Sequence, residues 1–171
     1  MSIARSVLTF AAVSASAAVL AACATTPTGA AGPAGPAPFS TADFNWSTVA
    51  GRASIEGRVD YRRDGQAFAC TGSVALTPDT PYTRARFRTL YGATDRAAIP
   101  EAVVRARTVA DPNADYRGFV RSATCQDGRF EFTGLPAGGW FLITPVSAGG
   151  DRVVLMRRVD TRSGRIAVTL P

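Results

Sequence analysis

The chain has 171 residues, enough for one packed domain with extensions. It carries 19 basic residues, all Arg, against 13 acidic ones, for a net charge of +6, and it contains no His. The arginines are scattered rather than gathered with aromatics on one face, so no nucleic-acid partner is expected. Without His or Lys the commonest general bases and the Schiff-base nucleophile are missing, and Ser/His/Asp and Cys/His arrangements are excluded. We therefore expect no enzyme and no cofactor.

The first residues set the expected compartment. Met1 to Arg5 is a short stretch with one positive charge. Val7 to Val19 is small and apolar, too short and too weakly hydrophobic for a stable transmembrane helix, and fits the core of a signal peptide. It ends in Leu20-Ala21-Ala22-Cys23, a bacterial lipobox. A thiol is needed at this position because it takes diacylglycerol as a thioether. Cleavage before it frees an amine for acylation, for example by palmitate. Residues 1–22 are thus expected to be a lipoprotein signal peptide and Cys23 the lipidation site. The alternative is an ordinary signal peptide followed by an incidental Cys. Each buried CH₂ of the acyl chains contributes about 0.8 kcal/mol to membrane anchoring. Ala24 follows the Cys; an Asp there would resemble an inner-membrane retention signal. The expected location is the outer membrane, facing the periplasm.

Residues 23–42 are rich in Ala, Pro and Gly and poor in large apolar side chains. Such a segment cannot offset its ordering entropy and is expected to be a tether. The domain is expected over residues 43–171. Phe44, Trp46 and Val49 either cover a sheet edge or begin a first strand. Ser54 to Tyr61 alternates with a period of two, as does Phe68 to Thr77, and Asp64-Gly65 lies between them. This pattern predicts a hairpin.

Residues 78–115 break the strand rhythm. Thr80 is suited to cap a helix, Pro81 to its first position, and Gly92 to its end. The arginines at 84, 86 and 88 are spaced by two, which leaves a strand as the alternative; the capping pattern favours a short helix. Ala102 to Val109 reads as a strand and Asp111-Pro112-Asn113 as a turn. Strands are expected at 117–124, 129–133, 140–146, 152–159 and 165–170. About seven or eight short strands with Gly turns predict an all-β antiparallel sandwich with a short helical insertion. Cys70 and Cys125, in an exported domain with Cys23 consumed by lipid, read as one disulfide. It would close a loop of roughly 55 residues, worth about 4 kcal/mol in the chain-entropy model.

Two stretches carry a family resemblance. Gly57-Arg58-Val59 resembles the first strand of carboxypeptidase regulatory-like domains. Asp127-Gly128-Arg129-Phe130-Glu131-Phe132, followed by Leu135-Pro136-Ala137-Gly138 and Trp140, resembles that family's signature, with Trp140 in place of the usual Tyr. The resemblance covers roughly residues 53–171. It implies a transthyretin-like Greek-key sandwich, an accessory module in peptidases, surface proteins and transporters, with carbohydrate binding in some relatives of the wider fold. The insertion at 78–115 departs from the minimal module. Tyr116-Arg117-Gly118-Phe119 matches the terminal Y-R-G-S of the histidine-dependent hydroxyisourate hydrolases only in part, and that activity is rejected.

Asp111, Asp115 and Asp127 sit beside Pro, Asn or Gly and read as turn formers, and no calcium-loop spacing is present. A metal site is not expected. Binding surfaces remain. Trp140 is expected in the core. Tyr82, Phe87 and Tyr91 either dock the inserted helix or, if exposed beside Arg84 and Arg88, suit stacking on sugars and pairing with anionic groups. The expectation is a membrane-anchored envelope module that supports or binds something. The alternatives are a carbohydrate- or peptidoglycan-binding module and an accessory subunit of an envelope enzyme or transporter.

Overall fold

Two runs, Trp140–Ile143 and Val153–Met156, contain no polar residue to turn toward water. A strand with one solvated face alternates, whereas an unbroken apolar run belongs where both faces are covered. The computed structural model describes residues 37–70, 72–109 and 115–170, all within one unit, Ala34–Pro171. The signal peptide, Cys23, most of the tether and the turn at Asp111-Pro112-Asn113 lie outside the described residues.

A 3-10 helix, Thr41–Thr48, comes first. It is followed by β1 (Ala53–Val59), β2 (Tyr61–Arg63), β3 (Gln66–Cys70) and β4 (Ser73–Pro78). The insertion then supplies α1 (Pro81–Tyr91), β5 (Arg96–Pro100) and α2 (Glu101–Ala106), and a second 3-10 helix, Tyr116–Phe119, follows it. The chain continues through β6 (Arg121–Thr124), β7 (Arg129–Leu135), β8 (Gly138–Ala148), β9 (Asp151–Thr161) and β10 (Gly164–Leu170).

These strands form two facing sheets. In the smaller one β1 lies between β7 and β10. In the larger one β8 is the spine: β9 pairs along one edge, and β4 and β3 pair in succession along the other. β6 lies beyond β4, β5 beyond β9, and β2 beyond β3. The inner faces meet through Ile55, Phe130, Phe132, Leu135 and Leu170 on one side and Val74, Leu76, Trp140, Leu142 and Leu155 on the other. Trp140 is fully buried, as its place in the motif implied, and its indole N–H donates to Thr161 Oγ1 at 3.1 Å. The first 3-10 helix closes this end of the sandwich by setting Trp46 edge-on against Trp140, with centroids 4.9 Å apart.

The glycine of the first-strand motif has a packing reason. Gly57 pairs directly with Phe130 across the strands. A Cβ at Gly57 would lie 1.9 Å from the Phe130 ring, so that ring folds over the neighbouring backbone only because no side chain stands there. The two stretches that carry the resemblance are thus one contact.

Several elements depart from the sequence reading. Ser54 to Tyr61 is divided at Asp60, whose N–H donates to Leu170 O at 2.8 Å. β1 stays in the smaller sheet, and only Tyr61–Arg63 forms the hairpin with β3. Phe68 to Thr77 is divided at Gly72, where φ is +98°. β10 runs parallel to β1, in an otherwise antiparallel fold, along the edge of β1 that β7 leaves open. Residues 102–106 belong to α2 rather than to a strand. Glu101 in its first turn pairs with Arg105 one turn on and with Arg152 of β9, at 2.6 and 2.7 Å. β5 was not anticipated. The strand expected from Arg117 begins only at Arg121, because Tyr116 and Phe119 are drawn into ring contacts with Tyr82 and Phe44.

Candidate ligand cleft on the outer sheet face

The outer face of the larger sheet carries Phe141, Ile143, Val154 and Met156, and α1 lies over it. The helix starts where its caps dictate. Thr83 N–H donates to Thr80 Oγ1 at 3.2 Å, and Thr80 N–H donates to Thr83 Oγ1 at 2.9 Å, a reciprocal capping box with Pro81 at the first position. It ends at Gly92, which adopts φ +76° and donates its N–H to Arg88 O. Phe87 and Tyr91, one turn apart, face the sheet. Phe87 meets Phe141 edge-to-face at 4.9 Å and Tyr91 at 5.5 Å.

Tyr82, Phe87 and Tyr91 are therefore all buried and dock the helix. Tyr82 does so at the helix start, against Phe39 and Tyr116, at 5.6 and 5.7 Å. Phe39 also contacts Phe44, so packing begins before Asp43. Arg84 and Arg88 lie on the opposite flank of α1 from Arg86 and Leu90. Arg84 is engaged: it and Arg158 both donate to the Asp79 carboxylate, whose side chain is only 2% exposed. Arg158 also forms a fork to Asp160 at 2.7 and 2.8 Å. The bonds to Asp160 and then to Asp79 hold the Arg158 guanidinium above its usual pKa. Gly139 makes room for this network, since a Cβ there would lie 2.8 Å from Arg158 Nη2. Arg88 is exposed. The predicted residues thus divide: Phe87 and Tyr91 come together, while Tyr82, Arg84 and Arg88 stand elsewhere.

Beside Phe87 and Tyr91 a cleft of about 420 Å³ opens between α1 and the second 3-10 helix. Thr77 of β4 and Ile143 of β8 form its floor. Leu90 joins Phe87 and Tyr91 on one wall, and Tyr116 and Arg117 stand on the other. Arg86 lies over the Tyr116 ring, 5.2 Å from its centroid. Sequence reasoning did not find Leu90, Arg86, Tyr116 or Arg117 as neighbours of one site. The unbroken runs in β8 and β9 were the usable signal, because they require a cover on the outer face.

Burial pushes the Tyr91 hydroxyl up to about 12; nearby Tyr116 adds to this and Arg86 opposes it. The unfolded chain ionises Tyr91 near pH 10 and the folded chain only near 12. The unfolded state thus holds fewer protons between those values, and stability falls as pH rises through that window. The full loss amounts to about 3 kcal/mol. Urea unfolding at pH 9 and pH 12 should show this loss, and Tyr91→Phe should be less pH-dependent by that amount; an identical slope in the variant would contradict the assignment. Among the described residues no group of three or more His, Cys, Asp or Glu side chains is placed to hold a metal.

No family model matches the chain, and no curated protein matches it. A solved structure from Pseudomonas aeruginosa, a protein named there as a "putative carbohydrate binding protein", is similar in fold: the TM-score is 0.57, with 21% identity over 80% of this chain and 99% of that one.

Proposed function

We propose that this chain is a non-enzymatic, lipid-anchored binding module of the bacterial envelope, with the cleft between α1 and the second 3-10 helix as its glycan site. The observation that carries the reading is the cleft itself. It is concave and floored by Thr77 and Ile143, with a half-exposed Tyr116 and the polar ends of Tyr91 and Arg117 around apolar walls. Aromatic faces with a few polar groups suit sugar rings, which are apolar on one face and hydroxylated at the rim. The fold shared with a protein named for carbohydrate binding is consistent with this, as is the resemblance to carboxypeptidase regulatory-like domains. The lipobox at Leu20 to Cys23 supports attachment to the outer membrane through Cys23.

Retention of the detergent-solubilised full chain on insoluble peptidoglycan and envelope polysaccharide tests the reading. Tyr116→Ala should weaken retention about tenfold, the equivalent of one lost stacking contact. If no glycan retains the wild type, or if Tyr116→Ala binds equally well while folded by circular dichroism, the cleft is not the site. Cys23→Ala should move the protein from the membrane to the soluble fraction, and persistence in the membrane would refute the anchor.

A further inference from the structure

The cleft has an electrostatic bias that a site for neutral sugars does not need. Among the described residues none that lines it is acidic, and Arg117, exposed, forms part of its wall. Arg117 forms no ion pair among the described residues, and neither does Arg86, so no carboxylate there neutralises either guanidinium. Arg86 stacks on Tyr116 at the same wall, and its Nε is fully buried without a hydrogen-bond partner among the described residues. A guanidinium held over an aromatic ring keeps its charge beside that ring, where it favours an anion.

We infer that the cleft selects acidic glycans, taking a sugar carboxylate at Arg117, with the Arg86 charge behind Tyr116 adding to the field, while the sugar ring lies against Tyr116 and Leu90. This rests on the cleft being a glycan site. Arg117 at the wall and Arg86 behind Tyr116 put two charges of one sign beside the groove, which strengthens carboxylate binding and makes it salt-dependent. The shift of Tyr91 agrees in placing Arg86 and Tyr116 near its hydroxyl. Neutral sugars would meet the same ring faces but leave the Arg117 guanidinium unpaired.

The test uses the full chain in detergent and immobilised oligo-galacturonate, oligo-mannuronate and sialyllactose, each beside its carboxyl-reduced neutral counterpart. At least one acidic member should bind about tenfold or more tightly than its reduced partner, and the preference should shrink at high salt. Arg117→Ala should lower affinity for the acidic member about fivefold or more beyond any loss for its neutral counterpart, and Arg117→Glu should abolish the preference. Arg88→Ala removes the same charge from the other flank of α1 and should change nothing. Equal binding within every pair overturns the inference and leaves the glycan reading standing, as does an effect of Arg88→Ala equal to that of Arg117→Ala. Binding to no member of any pair overturns both.

Discussion

Replacing Cys70 and Cys125 together by Ala is expected to lower unfolding stability by about 4 kcal/mol, through the freedom regained by the unfolded chain. The two residues are joined in a disulfide, with Cα atoms 6.1 Å apart and a sequence separation of 55. The enclosed loop holds β4, the whole insertion and β6, so the bond ties both ends of the inserted region to the sandwich. Cys125 is itself buried in the main core, and its N–H donates to Gly72 O at 2.9 Å. The loss therefore includes a packing share in addition to loop entropy. Urea unfolding of the variant and of reduced wild type should agree to within the packing difference. A change below about 1 kcal/mol would show that the unfolded chain gains little freedom without the bond.

Phe87→Ala should cost about 3 to 5 kcal/mol, in the range of large buried aromatics cut to Ala. Phe87 is 2% exposed and lies against Phe141 and Tyr91, over the sheet face that carries Val154 and Met156. Removing the ring leaves a void under α1 that the capped, short helix is poorly able to close. Amide exchange should then accelerate in α1 before it does in β8 and β9, because the inner core does not use Phe87. Uniform acceleration, or none, would mean that the helix is not held by this ring. Arg84→Ala, on the flank of the same helix, should cost no more than about 1 kcal/mol because its guanidinium is half exposed.

These two residues also mark how far the sequence can be read. The helix was legible because its signals are local: Thr80 caps it, Pro81 opens it and Gly92 stops it, all within thirteen positions. The disulfide was legible because two thiols in an exported domain have few other uses. α2 was not legible. Val103-Val104 suggests a strand, yet the segment is helical because Glu101 finds Arg105 and Arg152, the latter from a strand far along the chain. β5 was missed because only Ala97 of its residues packs against the outer core, too weak an alternation to show. The pairing of β10 with β1 depends on which strand edge remains open, and no stretch of either strand contains that information.

The sequence by itself determined the alternation of β1, β3, β4 and β7, the caps of α1, and the pairing chemistry of Cys70 and Cys125. These follow from backbone sterics and residue chemistry acting over a few positions. Only the tertiary structure decided that Phe87 and Tyr91 turn inward, that Arg84 is engaged by Asp79, and that Tyr116 and Arg117 complete a cleft with Leu90. Burial and neighbours across long separations depend on which faces meet, and an amphipathic pattern states only that a face must be covered. For Phe87 the cover was the outer face of β8 and β9. The two unbroken apolar runs demanded such a cover without indicating what would provide it.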